Sequence, residues 1–557
     1  MKDITDIFSS FFFYNNNTTT ESHPKTLFYF LYTIISLVLM FVSVVWILYY
    51  FFPQVRVSGF RQLIQHYILR TPETERGIQV WLQDKQFVDT FGELYRLINK
   101  GENNNERRQQ QSSSDKKKKI THYCFLVHGV NGYSQDLSYP ETVLKLFIDW
   151  KKLQLEEQEV EQDMIVHCVT CNEKKTSDGV ENGGKRLLDE IMTTLIQNND
   201  NNSELITISM FGNSLGGLYS RYAAGELYSL LTNSSKNTKY TKFFNSNRIE
   251  FNVFLTTATP HLGLSKNTYW PMPRAAEIGI AHTLGETGKD LFQLNDLLKR
   301  MTTEPKYYNS LQAFRKRIVY ANAYRTDFPV PTATAAFLHE RSSYPHYYDD
   351  DNTTTDTTKI WKKNDENNLI IATLHTRPSS SFRNSTEEEK KVNTTNEDDD
   401  SINTSTSNER LDEDLLLMSN SLDSLGWKKV FVDLRAEIPI GVKLPSPVLQ
   451  IRKRLLENKN KSDNSPSKLK DTSTSTTSRE VALATKENDS NRIIYPLGHN
   501  MLVAVSRCEK SASFNSGGRP LIHDLAHDLV ELVFNHDYSS SSSTTDGNNN
   551  EQKKKNQ

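Results

Sequence analysis

Cysteine is scarce, four residues in 557, and that scarcity excludes a disulfide scaffold. Only Cys168 and Cys171 are closely spaced, and without a second such pair or a nearby histidine pair they do not make a zinc site. An excess of charge of one sign is missing too. The 66 Lys and Arg face 68 Asp and Glu, a net charge of −2, so no global basic field recruits nucleic acid. Apolar residues make up 36% of the chain and the 23 glycines add little, which falls below the ~45–50% usual for globular domains. Part of the chain is therefore expected to be solvated. The three or four domains that ~150 residues apiece would allow are not all folded.

The apolar residues that are present cluster near the N-terminus. No charged residue lies between Lys25 and Arg56, and the run from Leu27 to Phe52 is apolar almost throughout. At ~1.5 Å per residue it makes a helix of about 39 Å, longer than a bilayer's ~30 Å hydrocarbon core. A secretory signal has an apolar stretch of only about 7–15 residues and a small-residue cleavage site. A retained single-pass anchor over 27–52 is thus expected, after a tail over 1–26. Tyr29, Tyr32, Trp46, Tyr49 and Tyr50 stand near its ends, where amphipathic rings favour the interface. Lys2 and Lys25 flank one side; Arg56, Arg61 and Arg70 flank the other. That balance favours a cytoplasmic C-terminal portion, at a membrane such as the endoplasmic reticulum or a lipid droplet.

Beyond the anchor, 54–100 shows helical spacing in Phe60, Leu63, Ile64, Tyr67 and Ile68 and again in Phe87, Val88, Phe91, Leu94, Tyr95 and Ile98. These faces suit either the membrane surface or packing on a globular domain. Residues 101–119 read as a polar linker. Strand and helix patterns then alternate. The strands are expected at 120–127, 164–169, 205–211, 251–257, 317–322 and 429–434, with helices at 141–156, 184–197 and 216–231. Such alternation predicts an α/β fold on a parallel sheet. Tracts at 341–424 and 456–490 and the tail 538–557 are dense in Asn, Ser, Thr, Asp or Lys. They are expected to be disordered insertions and a disordered tail in a domain spanning 120–537.

Gly212-Asn213-Ser214-Leu215-Gly216 fits G-x-S-x-G. The pattern alone is weak, but an apolar strand runs into it and a helix pattern runs out, the strand–turn–helix context of a nucleophile elbow. Ser214 is the expected nucleophile, with Leu215 N–H as one oxyanion donor. His128-Gly129-Val130 follows the first strand, where the second donor, Val130 N–H, is expected. The orienting carboxylate and the base should follow in that order. Asp327, in a turn after 317–322, is preferred over Asp296 in a helical pattern and Asp433 in a strand. His499, in a loop after the last strand, is preferred as base; His523, opening the final helix, is the alternative.

FLVHGVNG, FGNSLGG, TTATPHLG, ANAYRTDFPVPTATA and GHNMLVAVSR, in this order, resemble the DUF676 putative serine esterase family, lipase-like α/β-hydrolases. The resemblance covers 120–338 and 426–534, departs at Asn213, where the family usually has His, and leaves the anchor and the large insertion outside. It implies an α/β-hydrolase fold and a lipase or esterase acting on lipid acyl esters, which the anchor read from 27–52 would tether to a membrane. It puts Ser214, Asp327 and His499 at the triad positions, with no metal or cofactor required. The stretch 264–300, with Tyr269, Trp270, Pro271, Pro273 and an apolar helix from Leu291, is the expected acyl-binding lid. Thioester hydrolysis by the same machinery and a non-catalytic membrane-tethered scaffold are the alternatives.

Overall fold

A computed structural model of the chain describes residues 78–535 apart from 110–117, 156–159, 199–202, 233–239, 269–271, 328, 349–368, 380–403, 439–441, 444–492, 495–497 and 508. The expected anchor 27–52 and the tail before it, the first part of the 54–100 segment, the insertion 456–490 and the tail 538–557 lie outside the described residues. Among the described residues no helix is long and apolar enough to cross a membrane.

Among the described residues six strands run parallel: β1 (Lys118–Val127), β2 (Val160–Cys168), β3 (Ser203–Asn213), β4 (Arg248–Thr257), β5 (Lys316–Asn322) and β8 (Lys428–Val432). Each expected strand is present. With β6 (Tyr347–Tyr348) and β7 (Ile370–His375), which pair antiparallel, the sheet order is β2-β1-β3-β4-β5-β8-β7-β6. A separate antiparallel pair joins β9 (Val442–Lys443) to β10 (Ile493–Ile494).

The strands are apolar because both of their faces are covered. Along β1, Tyr123, Phe125 and Val127 enter one core while Cys124 and Leu126 enter the other. The first core is closed by the helices Val180–Gln197 and Leu215–Thr232, the second by Ser138–Gln154 and Arg519–Phe534. The chain leaves β1 for β2 on one side and returns to β3 on the other. This order puts the switch point at the carboxyl ends of β1 and β3, where open α/β sheets hold their ligands.

Three expectations need correction. The helix Lys85–Gln109 continues into the stretch read as linker, and β1 begins at Lys118. Its apolar face packs on the domain: Phe87, Phe91, Leu94 and Ile98 are buried, with Phe91 edge-on to Phe147 and Trp81 edge-on to Tyr139. Asp84 accepts two hydrogen bonds from Arg519 at 2.9 Å. The compact unit therefore starts at Thr74, not near residue 120.

The described residues of the tract 341–424 are ordered. They supply β6, β7 and the helix Thr404–Asp423, whose Leu415, Met418 and Leu422 are buried one helical turn apart. Asp423 ends that helix on an ion pair of 2.5 Å with the buried Lys429 of β8, and Lys429 also donates to Ala336 O. Removing one partner of a buried pair leaves the other charge unpaired, so this contact fixes where the insertion lies.

The expected lid is built differently as well. The helix that should begin at Leu291 ends there (Gly285–Leu291), and the next one is Leu297–Thr303. Leu291, Phe292, Leu297 and Leu298 all enter the core. Tyr269, Trp270 and Pro271 lie outside the described residues; among the described residues of this stretch, the helix Arg274–Thr283 and its exit expose large apolar side chains, at Ile278, Ile280 and Leu284.

Truncation tests the new boundary. A chain starting at Thr74 should melt as the full chain's folded unit does in circular dichroism. One starting at Ile120 should melt far lower or precipitate, because the loss of each buried Phe costs about 3–5 kcal/mol. Equal melting of the two would show the helix to be dispensable.

Candidate active site

Ser214 sits between the end of β3 and the first residue of the helix Leu215–Thr232. Its φ is +55°, a left-handed conformation costing a non-glycine residue about 1–2 kcal/mol. The turn is held from beneath: Ser214 N–H donates to Thr257 O at 2.8 Å. It is also crowded from above. A Cβ on Gly216 would stand 2.1 Å from Val127 O, so only glycine lets the helix start against the end of β1. The serine is 7% exposed.

The loop after β1 touches the nucleophile. A Cβ on Gly129 would lie 2.7 Å from Ser214 Cβ and 3.1 Å from Ser214 Oγ, so the backbone passes where a side chain would not fit. In this loop Asn131 N–H donates to Thr176 Oγ1 at 2.9 Å and Gly132 N–H to Gly129 O at 3.0 Å. Val130 N–H has no acceptor among the described residues, and neither has Leu215 N–H, which opens a helix whose first amides lack intrahelical partners. Two open donors thus flank Ser214. The Val130 side chain itself is 40% exposed.

The expected carboxylate and base meet. His499, in the helical turn Gly498–Met501, has Nδ1 at 3.0 Å from both carboxylate oxygens of Asp327. Asp327 is fully buried and accepts two more hydrogen bonds at 2.9 Å, from Asn322 Nδ2 and Val330 N–H. Asn322 Nδ2 also reaches Gly498 O at 3.4 Å, and Gly498 N–H donates to Thr326 O at 2.9 Å, so the strand end and the histidine turn are sewn together. Such a network fixes the tautomer with hydrogen on Nδ1 and leaves Nε2 as the basic nitrogen. Ser214 Oγ and His499 Nε2 are not hydrogen-bonded to each other, a contact that in unliganded sites often tightens only around substrate.

Burial alone would lower the His499 pKa. The negative charge of Asp327 and its hydrogen bond outweigh that and the smaller opposing effect of the Arg507 charge, and the value is raised above 6.5. Arg507 is itself committed to Asp136 at 3.1 Å, and Ser506 N–H donates to Asp136 O, which ties the segment after His499 to the loop after β1.

His523 is elsewhere in character. It lies in the helix Arg519–Phe534, buried, with Nε2 at 2.6 Å from Tyr139 Oη and its ring 4.5 Å from Phe91. Burial, and secondarily Arg519, push its pKa down to about 3. Asp433 pairs with Arg435 beyond β8, and Asp296 is the residue before the helix Leu297–Thr303, 4.0 Å from Arg300. Among the described residues neither is hydrogen-bonded or ion-paired to His499. Among the described residues no group of three or more His, Cys, Asp or Glu is arranged to hold a metal ion.

Asn322, Thr257 and Val330 also belong to the site; the segments TTATPHLG and ANAYRTDFPVPTATA contain them, and their place at the carboxyl ends of strands or in the Asp327 turn is the signal for a role there.

These environments predict two different titrations. In ¹H–¹⁵N NMR of the imidazoles, His499 should titrate above 6.5 and His523 should stay neutral to about pH 3. In Asp327→Asn the lost carboxylate leaves burial and Arg507 in control, so the His499 midpoint should fall. The raised value also makes a stability contribution that is complete below pH 6.5 and fades as pH rises through the folded-state midpoint. A His499 midpoint unmoved by Asp327→Asn would contradict the assigned pairing.

Comparison with known proteins adds relatives for part of the chain. A putative lipase of Schizosaccharomyces pombe is 28% identical over 229 residues, 39% of this chain and 26% of the relative. A putative lipase of Saccharomyces cerevisiae is 28% identical over 226 residues, 40% of this chain and 29% of the relative. The match thus spans under a third of the length of these curated relatives. A phospholipase of Legionella pneumophila, solved in complex with thio-NAD, is 14% identical with a TM-score of 0.22, covering 38% of this chain and 40% of that one, a likeness too slight to carry an argument. Residues 117–338, which hold the Gly129 loop, Ser214 and Asp327, match the family described as Putative serine esterase (DUF676), the family that the sequence motifs resemble.

Proposed function

We propose that the chain is a membrane-anchored serine hydrolase of the α/β-hydrolase fold that cleaves lipid acyl esters with Ser214, His499 and Asp327. The observation that carries this reading is the pairing of His499 Nδ1 with the buried Asp327 at 3.0 Å, together with a serine in a strained turn at the sheet's switch point. An imidazole so held is a base at Nε2, and a serine hydroxyl held in such a turn is the group a base of this kind activates.

Each step follows from these groups. Ser214 Oγ attacks the carbonyl carbon while His499 Nε2 takes its proton, and the imidazolium is stabilised by Asp327. The carbonyl oxygen becomes an oxyanion and is held by Val130 and Leu215 N–H. As the bond to the alcohol breaks, His499 returns the proton to the leaving oxygen, and an acyl-Ser214 ester remains. Water, deprotonated by the same histidine, then hydrolyses it to the free acid. Neither metal nor redox cofactor enters this sequence of steps.

The lipid nature of the substrate rests on the lipase naming of the relatives and on the family's description. The charge-free run Leu27–Phe52 supports a bilayer anchor, with the catalytic unit on the cytoplasmic side. Thioesters would pass through the same acyl-enzyme and are the nearest other substrate class.

Hydrolysis of acyl esters by detergent-solubilised chain tests the assignment. Ser214→Ala and His499→Ala should each lower kcat by a comparable factor, on the order of 10⁴ or more, because triad members act as a unit. His523→Ala should change kcat little once folding is matched. Activity surviving in Ser214→Ala, or lost in His523→Ala but kept in His499→Ala, would defeat the residue assignment.

A further inference from the structure

Thr259 lies just past the end of β4, at the start of a tight turn in which Ala258 also has a left-handed φ of +46°. It is almost wholly buried and touches neither His499 nor Asp327 by any hydrogen bond among the described residues. Its hydroxyl donates to the backbone carbonyl of Ser214 at 2.9 Å. The same carbonyl accepts Gly217 N–H at 3.1 Å. The approach of the threonine depends on the absence of a side chain at 217, where a Cβ would stand 2.1 Å from Thr259 Oγ1.

The carbonyl matters because of what it is bonded to. Ser214 C=O and Leu215 N–H belong to one peptide unit, planar and trans, so they point in opposite directions and turn together. Two donors behind the oxygen fix the plane. A hydrogen bond accepted at the oxygen also polarises the unit and strengthens the N–H on its far side. Ser214 gains nothing from an ordinary helical setting, since its own φ of +55° lies outside the helix; the plane must be set by partners.

We propose that Thr259 is a positioning residue for the oxyanion site, its hydroxyl holding the Ser214–Leu215 peptide so that Leu215 N–H faces the charge that develops on the carbonyl oxygen. The inference rests on the serine-hydrolase reading above and adds to it a determinant of rate that does not touch the substrate. It explains why a polar threonine is buried beneath the turn, where an apolar residue would fill the space equally well.

Thr259→Ser and Thr259→Ala separate the hydroxyl from the methyl, since both lack the methyl and only Ala lacks the hydroxyl. Each is measured in the full-length chain on a short, water-soluble p-nitrophenyl ester, with rates normalised to sites titrated by a fluorophosphonate so that only folded molecules count. The Ser variant should keep kcat within about threefold of the unaltered chain, and the Ala variant should fall about tenfold or more below the Ser variant with KM within about twofold. Inhibition by a trifluoromethyl ketone, which adds to the serine and generates the oxyanion, should weaken in Ala and not in Ser. The acidic midpoint of the pH profile should be the same in both, because the His499–Asp327 pair is untouched. If the Ala variant does not fold, Thr259→Val, which also lacks the hydroxyl, takes its place in the same comparison. Equal kcat and equal ketone inhibition in the variants with and without the hydroxyl would overturn the proposal while leaving the hydrolase reading intact. If instead Ser214→Ala hydrolyses the ester as fast as the unaltered chain, that reading fails, and the role of Thr259 with it.

Discussion

The left-handed backbone of Ser214 is the constraint on which the rest of the site depends. A conformation that costs a serine about 1–2 kcal/mol persists only where the surroundings hold it. Here they do so through Thr257 O below, Thr259 Oγ1 and Gly217 N–H at the carbonyl, and the bare backbone of Gly129 alongside. This conformation sets Ser214 at the carboxyl ends of β1 and β3, against the Gly129 loop. The sheet order then brings in the other groups, because β4 and β5 end on the same edge and carry Thr257, Thr259, Asn322 and Asp327 there.

The second half of the site is tied by polar contacts rather than by chain proximity. His499 is 172 residues from Asp327 in sequence, and what brings them together is a short chain of hydrogen bonds through Asn322, Gly498 and Thr326. Because Asp327 is buried and makes four contacts, its charge is both paid in hydrogen bonds and aimed at one imidazole. His523 shows the contrast. It is also buried near a cation, but its partner is a tyrosine hydroxyl, and so it is held neutral.

Much of this was legible in the sequence for a physical reason. A strand buried on both faces is a continuous apolar run, so β1, β3 and β4 were readable, and the glycines around Ser214 marked the turn between β3 and its helix. What was not legible depended on distant partners. The helix Thr404–Asp423 lies in a tract of Ser, Thr, Asn and acids, and its apolar positions Leu411, Leu415, Met418 and Leu422 gain meaning only against the core beside Phe337 and Trp427. The extension of the first long helix to Gln109 is polar and carried by the buried Phe87–Ile98 face before it. Asn322 looks like any strand-end polar residue until Gly498, 176 positions away, arrives beside it.

The claim that joins these observations is that Ser214 becomes covalently acylated. Intact-protein and peptide mass spectrometry, after rapid acid quench of the full-length chain with a p-nitrophenyl acyl ester, tests it most directly. The account predicts one acyl group per chain, on the peptide containing Ser214, appearing with a burst of p-nitrophenol and absent from Ser214→Ala. An acyl group found on another residue, or steady hydrolysis with no acylated peptide even when deacylation is slowed, would contradict it.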